Sequence, residues 1–362
     1  MKPLRFFYLP NETMEGDQVG PRKAFGLLHA EGVFSAYRAY SYLVEDRKAP
    51  SHARALEDLL AAVEAFQPDV IFFQHLNGSY PVDTAYVLRL KDVASRPKFV
   101  WHEADAYGRF IKRFDPTMKA ALAATDLAIV VGLGYLADLV REAGAQRVML
   151  APHSYDDVRF GQPWEPPATR EYDAIMIANL TSLKRVPFLF MPGGRKRKVL
   201  SRAFHDAYGG RYAVFGAGQG WKGEPYCRGP IPFDAQERTI RSSWLTVNWG
   251  QFDEVSMYSS DRLPISLASG VPHITNYQPG YEHLFPGGQG VYFVHSPAEA
   301  LDVSDFLLSK PREELLAIGA AGAAYARGRP NATRVYRDVV IALQERLFGA
   351  DGGADARLRR AA

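Results

Sequence analysis

Short apolar runs, each followed by a polar or glycine-bearing turn and then a helix-periodic segment, repeat along almost the whole chain. They include Leu4 to Leu9, Pro68 to His75, Lys98 to Asp105, Asp126 to Val131, Tyr172 to Asn179, Arg211 to Phe215 and Trp244 to Trp249. Runs this short and this apolar fit strands covered on both faces, as in a parallel sheet. Alternation of such strands with helices restricts the chain to the α/β class. A length of 362 residues is enough for two such units, each with its own core. The aperiodic stretch Phe160 to Arg170, with Pro163, Pro166 and Pro167, divides them.

Composition narrows the function classes. Cys227 is the single cysteine, so no internal disulfide and no cysteine metal cluster can form. A net charge of +3 permits an anionic ligand without arguing for nucleic acid. No apolar run approaches the ~20 residues of a membrane span, and the opening apolar run is too short for a signal peptide. A cytoplasmic protein without a membrane span is expected.

Open parallel sheets bind ligands beyond the carboxyl ends of their strands, so the chemistry is sought there. After Leu9 comes a polar loop, Asn11 to Pro21, with Gly16 and Gly20. His75, His102, Glu103 and Asp105 all fall at strand ends. Asp105 is the first candidate for a general base, should the reaction need one; His75 reads as a strand end satisfied by backbone or water. Gly132-Leu133-Gly134-Tyr135-Leu136-Ala137 after a strand matches the Gly-x-Gly-x-x-Ala dinucleotide fingerprint and keeps an oxidoreductase open. Against it, no acid follows about twenty residues later to hold a ribose, and the unit comes late in its domain. Gly218 lies in a second glycine-rich loop that no regular helix follows; close backbone approach to a nucleobase is the expectation. The basic run Arg195 to Lys198 opens a helix and reads as a solvated face, with contact to a polyanionic acceptor as its functional alternative.

The stretch Ser259 to Asn276 reads as a short helix running into a buried strand. Ser260 or Asp261 can cap the helix, Pro264 falls in its first turn, and Gly270 stands where a left-handed stop is wanted. Arg262 adds a full charge to the positive end of the helix dipole, a setting that suits a diphosphate.

Arg262-x-x-x-x-x-Ala268-x-Gly270-x-Pro272, followed by Thr275-Asn276 and then Glu282-His283-Leu284-Phe285, resembles the donor-site segment of GT-B glycosyltransferases. The group 1 (family 4) enzymes and the spore-maturation-like branch are the nearest in pattern. The resemblance implies two Rossmann-like domains facing a cleft: 1–160 on the acceptor side, 161–330 binding the nucleotide sugar, and 331–362 as a helix returning to the first domain, then a tail. It implies a glycosyltransferase that uses a nucleotide-sugar donor, with an unassigned acceptor; since no metal-binding acidic pair such as Asp-x-Asp is evident, charge neutralisation falls to Arg262, Lys184 or Arg185 and helix N-termini, and a metal-independent enzyme without a cofactor is expected. Its donor-binding residues would be Arg262, Lys184, Arg185, Gly16, Gly218, Glu282 and Asn276, and His102 and Asp105 would face the transferred sugar. Where the family carries two donor-site glutamates, this chain has Met257 and Ile265, and Glu282 is the candidate to replace the ribose carboxylate. A non-catalytic sugar-nucleotide-binding protein and a transferase acting on nucleic acid stay open beside the oxidoreductase; a nucleic-acid acceptor is not favoured.

Overall fold

The computed structural model describes residues 2–183, 186–252, 254–285 and 289–349. The first sheet holds β1 (Leu4–Leu9), β2 (Phe34–Ala39), β3 (Val70–Gln74), β4 (Lys98–Glu103), β5 (Leu127–Val130) and β6 (Val148–Leu150). They lie in the order β2-β1-β3-β4-β5-β6, all parallel. Residues of β1 alternate between two cores, with Phe7 and Leu9 on one face and Leu4, Phe6 and Tyr8 on the other. Both faces are therefore covered, which is why the strand is apolar apart from Arg5 near its start.

The chain then forms β7 (Tyr172–Ile177), a small antiparallel pair β8 (Ser182–Leu183) and β9 (Val186–Phe190), and β10 (Tyr212–Phe215), β11 (Ser243–Asn248), β12 (His273–Asn276) and β13 (Val291–Val294). The pair β8–β9 is an element that the apolar runs of the sequence did not mark. The second sheet runs β10-β7-β11-β12-β13, again all parallel. Counted from its own first strand, each sheet begins with the order 2-1-3-4-5. That order places a topological switch point between the first and third strands, where an open α/β sheet leaves a crevice. These crevices are β1/β3 in the first sheet and β7/β11 in the second.

Two connections join the halves. The segment after β6 turns at Asp156, whose Oδ1 accepts from the Val158 amide at 2.9 Å. The last helix, Ala332–Phe348, is capped by Asn331, whose Oδ1 accepts from Arg334 N at 2.8 Å. Its apolar side, Ala332, Tyr336, Val339, Val340 and Leu343, joins the core of the first sheet. In the other direction, Phe252, Val255 and Tyr258, which follow β11, are buried in the first sheet's opposite core. Among the described residues no helix is long and apolar enough to cross a membrane.

Candidate active site

A cavity of about 450 Å³ opens at the carboxyl ends of the first sheet and is closed in part by the second half of the chain. Asn11, Gln74, His75, His102, Asp105 and His153 line it from the carboxyl ends of the first sheet. Asp261 and Phe233 line it from the second half, and Tyr336 from the last helix.

On the second-sheet side, the helix Arg262–Ala268 forms as expected, and Gly270 takes the left-handed backbone (φ +74°) that stops it. The expected side-chain cap is absent: Asp261 occupies the cap position without a capping hydrogen bond and accepts from Arg262 Nη1 at 3.1 Å instead. Helical dihedrals at Asp261 explain this, because a capping side chain needs an extended backbone to reach back. Arg262 Nε is buried and has no partner, so this guanidinium retains a free donor. Beside it stands Arg197, which the local pattern assigned to a solvated basic face. Arg197 is only 6% exposed. Its Nε donates to Trp249 O at 2.6 Å and its Nη1 to Asn179 O at 2.7 Å. Those carbonyls follow β11 and β7, so Arg197 straddles the second switch point. Burial, and then the nearby Arg262 charge, push its pKa down to about 10, which leaves it charged at neutral pH. Two neighbouring guanidinium groups, one of them without a carboxylate, give this end of the cleft a positive charge that would suit a multiply charged anion.

The other donor-side candidates fall as follows. Lys184 and Arg185 lie outside the described residues. Asn276 is buried, with its Oδ1 taken by Gly250 N at 2.6 Å and its Nδ2 by Tyr277 O at 3.3 Å; it fixes the chain after β11. Gly218 does serve a close backbone approach, but to the chain's own loop: a Cβ there would sit 2.3 Å from Leu180 O. Glu282 is exposed and accepts from Tyr277 OH at 3.1 Å. Ile265 belongs to the apolar core with Leu263, Tyr155 and Phe160, while Met257 is half-buried with φ +59°.

Gly16, with φ +87°, lies in a loop organised by a residue that sequence reasoning missed. Glu12 is fully buried and its carboxylate accepts from Arg22 Nε at 2.6 Å, Arg22 Nη2 at 2.8 Å, Ser41 Oγ at 2.7 Å, Gln18 N at 3.0 Å and Gly16 N at 3.3 Å. Its sequence signal was only an acid in a polar loop. Arg159 ties the same loop to the second half, pairing with Asp17 at 2.7 Å and lying over the Phe233 ring at 5.7 Å.

On the first-sheet side, His102 is buried between Phe72 and Tyr336, with its Nδ1 unpartnered. Burial, then the neighbouring His153 and His75, push its pKa down to about 3, so it is a neutral imidazole. Asp105 pairs with Lys112 Nζ at 2.6 Å. Burial works to raise the Asp105 pKa, but the Lys112 charge and hydrogen bond outweigh it and hold it below the ordinary carboxylate range. His75 Nδ1 lies 2.6 Å from Glu103 Oε1. Ligand atoms of His75, Glu103 and Asp105 come within 4.8 Å of one another, a spacing that could serve a metal ion, but the Lys112 ammonium already stands on Asp105.

The glycine fingerprint has another role. A Cβ on Gly132 would meet Val255 Cγ1 at 2.5 Å, and one on Gly134 would meet Ser256 Oγ at 2.8 Å. Leu133 N donates to Ser256 O at 2.7 Å. These glycines admit the loop after β11, which stands where a cofactor diphosphate would have to approach, so the motif builds the joint between the halves.

Residues 195–340 match the family described as glycosyl transferase-like. No curated protein sequence matches the chain. Its fold is similar to that of HepE from Anabaena, solved with UDP and glucose: TM-score 0.61 at 10% identity, covering 94% of this chain and 99% of that one. A glycosyltransferase from Rickettsia africae gives 0.59 at 10% identity, over 95% and 98% of the two chains. The UDP-forming α,α-trehalose-phosphate synthase of Burkholderia vietnamiensis gives 0.58 at 11%, over 98% and 100%. These likenesses establish the fold as GT-B, two parallel-sheet domains around a cleft.

Proposed function

We propose that this GT-B chain is a glycosyltransferase that moves a sugar from a nucleotide-diphosphate donor to an acceptor hydroxyl. The carrying observation is the guanidinium pair Arg197 and Arg262: Arg197 straddles the β7/β11 switch point, and Asp261, the partner of Arg262, lines the cavity that also holds His75, His102 and His153. Departure of a nucleoside diphosphate develops charge on its outer phosphate. Donors fixed in advance at that position lower the barrier because they need no reorganisation. With that charge met by two arginines, the reading requires no metal ion and no cofactor.

In this reading residues 1–160 hold the acceptor side and residues 161–330 the donor, with the last helix, from 331, returning to the first domain. The loop of Gly16 lies against the donor phosphates, Lys184 and Arg185 add to the phosphate contacts, and the backbone near Gly218 and Asn276 shapes the nucleotide pocket. Glu282 is the nearest candidate for a ribose contact. Neutral His102, with its free Nδ1, positions the sugar. The single cysteine fits a cytoplasmic setting.

The test is a thermal-shift and calorimetric screen of nucleotide sugars, followed by assay of nucleoside diphosphate release. UDP-glucose comes first, because HepE was solved with it. Binding with release supports the reading. Binding without release, whatever the acceptor, would make the chain a sugar-nucleotide-binding protein, and binding of a nicotinamide cofactor instead would favour the oxidoreductase.

A further inference from the structure

We propose that two neighbouring surface patches, the loop around Phe110 and the outward face of the helix Gly194–Tyr208, dock this protein on an anionic phospholipid bilayer. The inference goes beyond the transferase reading, and its test needs no sugar donor.

The first patch follows β4. Residues 105–114 run from the cavity, which Asp105 lines, to a separate groove of about 780 Å³ on the first half, which Gly108 lines. Phe114, Ala120 and Leu139 give this groove apolar walls, and Arg109, Arg113 and Lys119 stand along it. Phe110 is 91% exposed, more than any other large apolar side chain among the described residues. A ring left in water to this degree is a candidate for burial against a partner.

The second patch follows β9. The helix Gly194–Tyr208 turns Arg197, Leu200, Ser201 and Phe204 inward. Arg195, Val199 and Arg202, spaced at helical period, lie on its exposed side. Val199 is 52% exposed, and Leu189 in β9 is 46% exposed. Arg195, Lys198, Val199 and Arg202 line a cavity of about 380 Å³ together with Phe190.

One short segment joins the two patches. Gly193 N donates to Gln251 O at 2.9 Å, and a Cβ on Gly108 would meet the Phe252 ring at 3.1 Å. Residues 251 and 252 therefore touch the chain just before each patch, and the patches, one from each half, flank the same crossing.

Their charge is largely uncompensated. Among the described residues the side chains of Arg113, Lys119, Arg195 and Arg202 have no hydrogen-bond or ion-pair partner. Of the acids lining the groove and the smaller cavity, Glu142 is held by Arg109 at 2.7 Å, and Asp83 caps the helix Thr84–Lys91 by accepting from Tyr86 N at 2.7 Å. Asp206 is the acid left without a partner among the described residues there. The excess of cations complements lipid phosphates.

The apolar side chains decide the kind of anion. A polyanionic chain or a free phosphate pairs with guanidinium groups and has nothing to offer Phe110, Val199 or Leu189. A bilayer takes such side chains beneath its phosphates while arginine and lysine keep their charges at phosphate level. Such a face needs no spanning helix, and none is present among the described residues. Because residues 105–114 join the cavity to the groove, docking there sets the cleft close to the lipid surface.

Flotation of the full chain with vesicles of phosphatidylcholine, and with vesicles in which phosphatidylglycerol replaces part of it, tests this. Binding should appear with the anionic vesicles only and should weaken as sodium chloride is raised, because salt screens exposed charges. About fivefold in partitioning is expected for each unit charge near such a surface, so Arg113→Glu and Arg202→Glu should each lower it by ~10-fold or more. Phe110→Ser should lower it by ~10-fold. Phe110→Trp should keep binding and add fluorescence that brominated lipid quenches. All three positions are exposed, so melting temperatures should match the wild type, and UDP-glucose binding measured without vesicles should not change. No preference for anionic vesicles, wild-type partitioning in Arg113→Glu, Arg202→Glu and Phe110→Ser, or Phe110→Trp fluorescence that brominated lipid leaves untouched would overturn the proposal. Capture of the chain by heparin with no binding to vesicles would overturn it too, and would give the face to a polyanionic chain. Vesicle binding by a chain that takes no sugar nucleotide would count against the transferase reading and leave the docking face standing.

Discussion

Glu12 offers the sharpest test of how the loop after β1 is built. Its carboxylate takes five hydrogen bonds in a fully buried position, two of them from Arg22. Glu12→Gln keeps the shape but replaces one acceptor oxygen by an N–H₂ group. At least one strong contact then becomes donor facing donor, and the pair loses its charge assistance. A hydrogen bond to a charged group contributes about 1.5–3 kcal/mol, and two are at stake. Arg22 is 26% exposed and can turn partly to water, which reduces the loss. The net expectation is about 2–3 kcal/mol for Glu12→Gln, and about 3–4 kcal/mol for Glu12→Ala, which also leaves a cavity and orphan amides. Urea unfolding followed by tryptophan fluorescence reads this as a lower midpoint for the transition of the first domain.

The pH dependence has a definite sign. Burial works to raise the Glu12 pKa, but Arg22, Ser41 and the Gln18 amide outweigh it, so the folded value lies below 4.5. The stabilisation is complete above the unfolded value and is lost as pH falls through the folded one. Donor affinity should weaken too, because Gly16 and Gln18 lose their anchor. A shift below about 0.5 kcal/mol for Glu12→Gln, with donor affinity unchanged, would refute the argument.

Three further outcomes follow from the same geometry. Arg262→Ala should weaken donor binding by ~1.5–3 kcal/mol with little change in melting temperature, since its Nε is unpartnered before the donor arrives; unchanged affinity in calorimetry would remove it from the site. Gly132→Ala should cost about 1–3 kcal/mol through overpacking against Val255 and Tyr258, seen as a lower unfolding midpoint, and a neutral result would contradict the joint. Burial pushes the pKa of His102 and of His273 down to about 3, from the ordinary imidazole value of 6.5. The unfolded chain binds these protons first, so stability should fall as pH drops from 6.5 toward 3, by about 1.4 kcal/mol per pH unit for each histidine at most; His273→Gln should flatten the slope measured by urea titration at several pH values.

Much of this protein was legible in the order of its residues. Short apolar strands, glycine stops and the proline-rich divider are local signals, because backbone dihedrals and side-chain period are local properties. They placed β1, β3, β4, β7 and β11, the Gly270 stop, the final helix, and His102 and Asp105 at strand ends. What the sequence could not carry was partnership. Arg197 has the same neighbours in sequence as a solvated lysine, yet its guanidinium joins carbonyls 18 and 52 residues away. Gly132 and Gly134 spell a phosphate loop locally, and only the docking of Val255 and Ser256 shows that another segment fills that space. His75 and Glu103 stand 28 residues apart and meet because β3 and β4 are neighbours in register. Burial and hydrogen-bond partners depend on which strands become neighbours, and that is set by packing two covered sheets against each other, which no local pattern encodes.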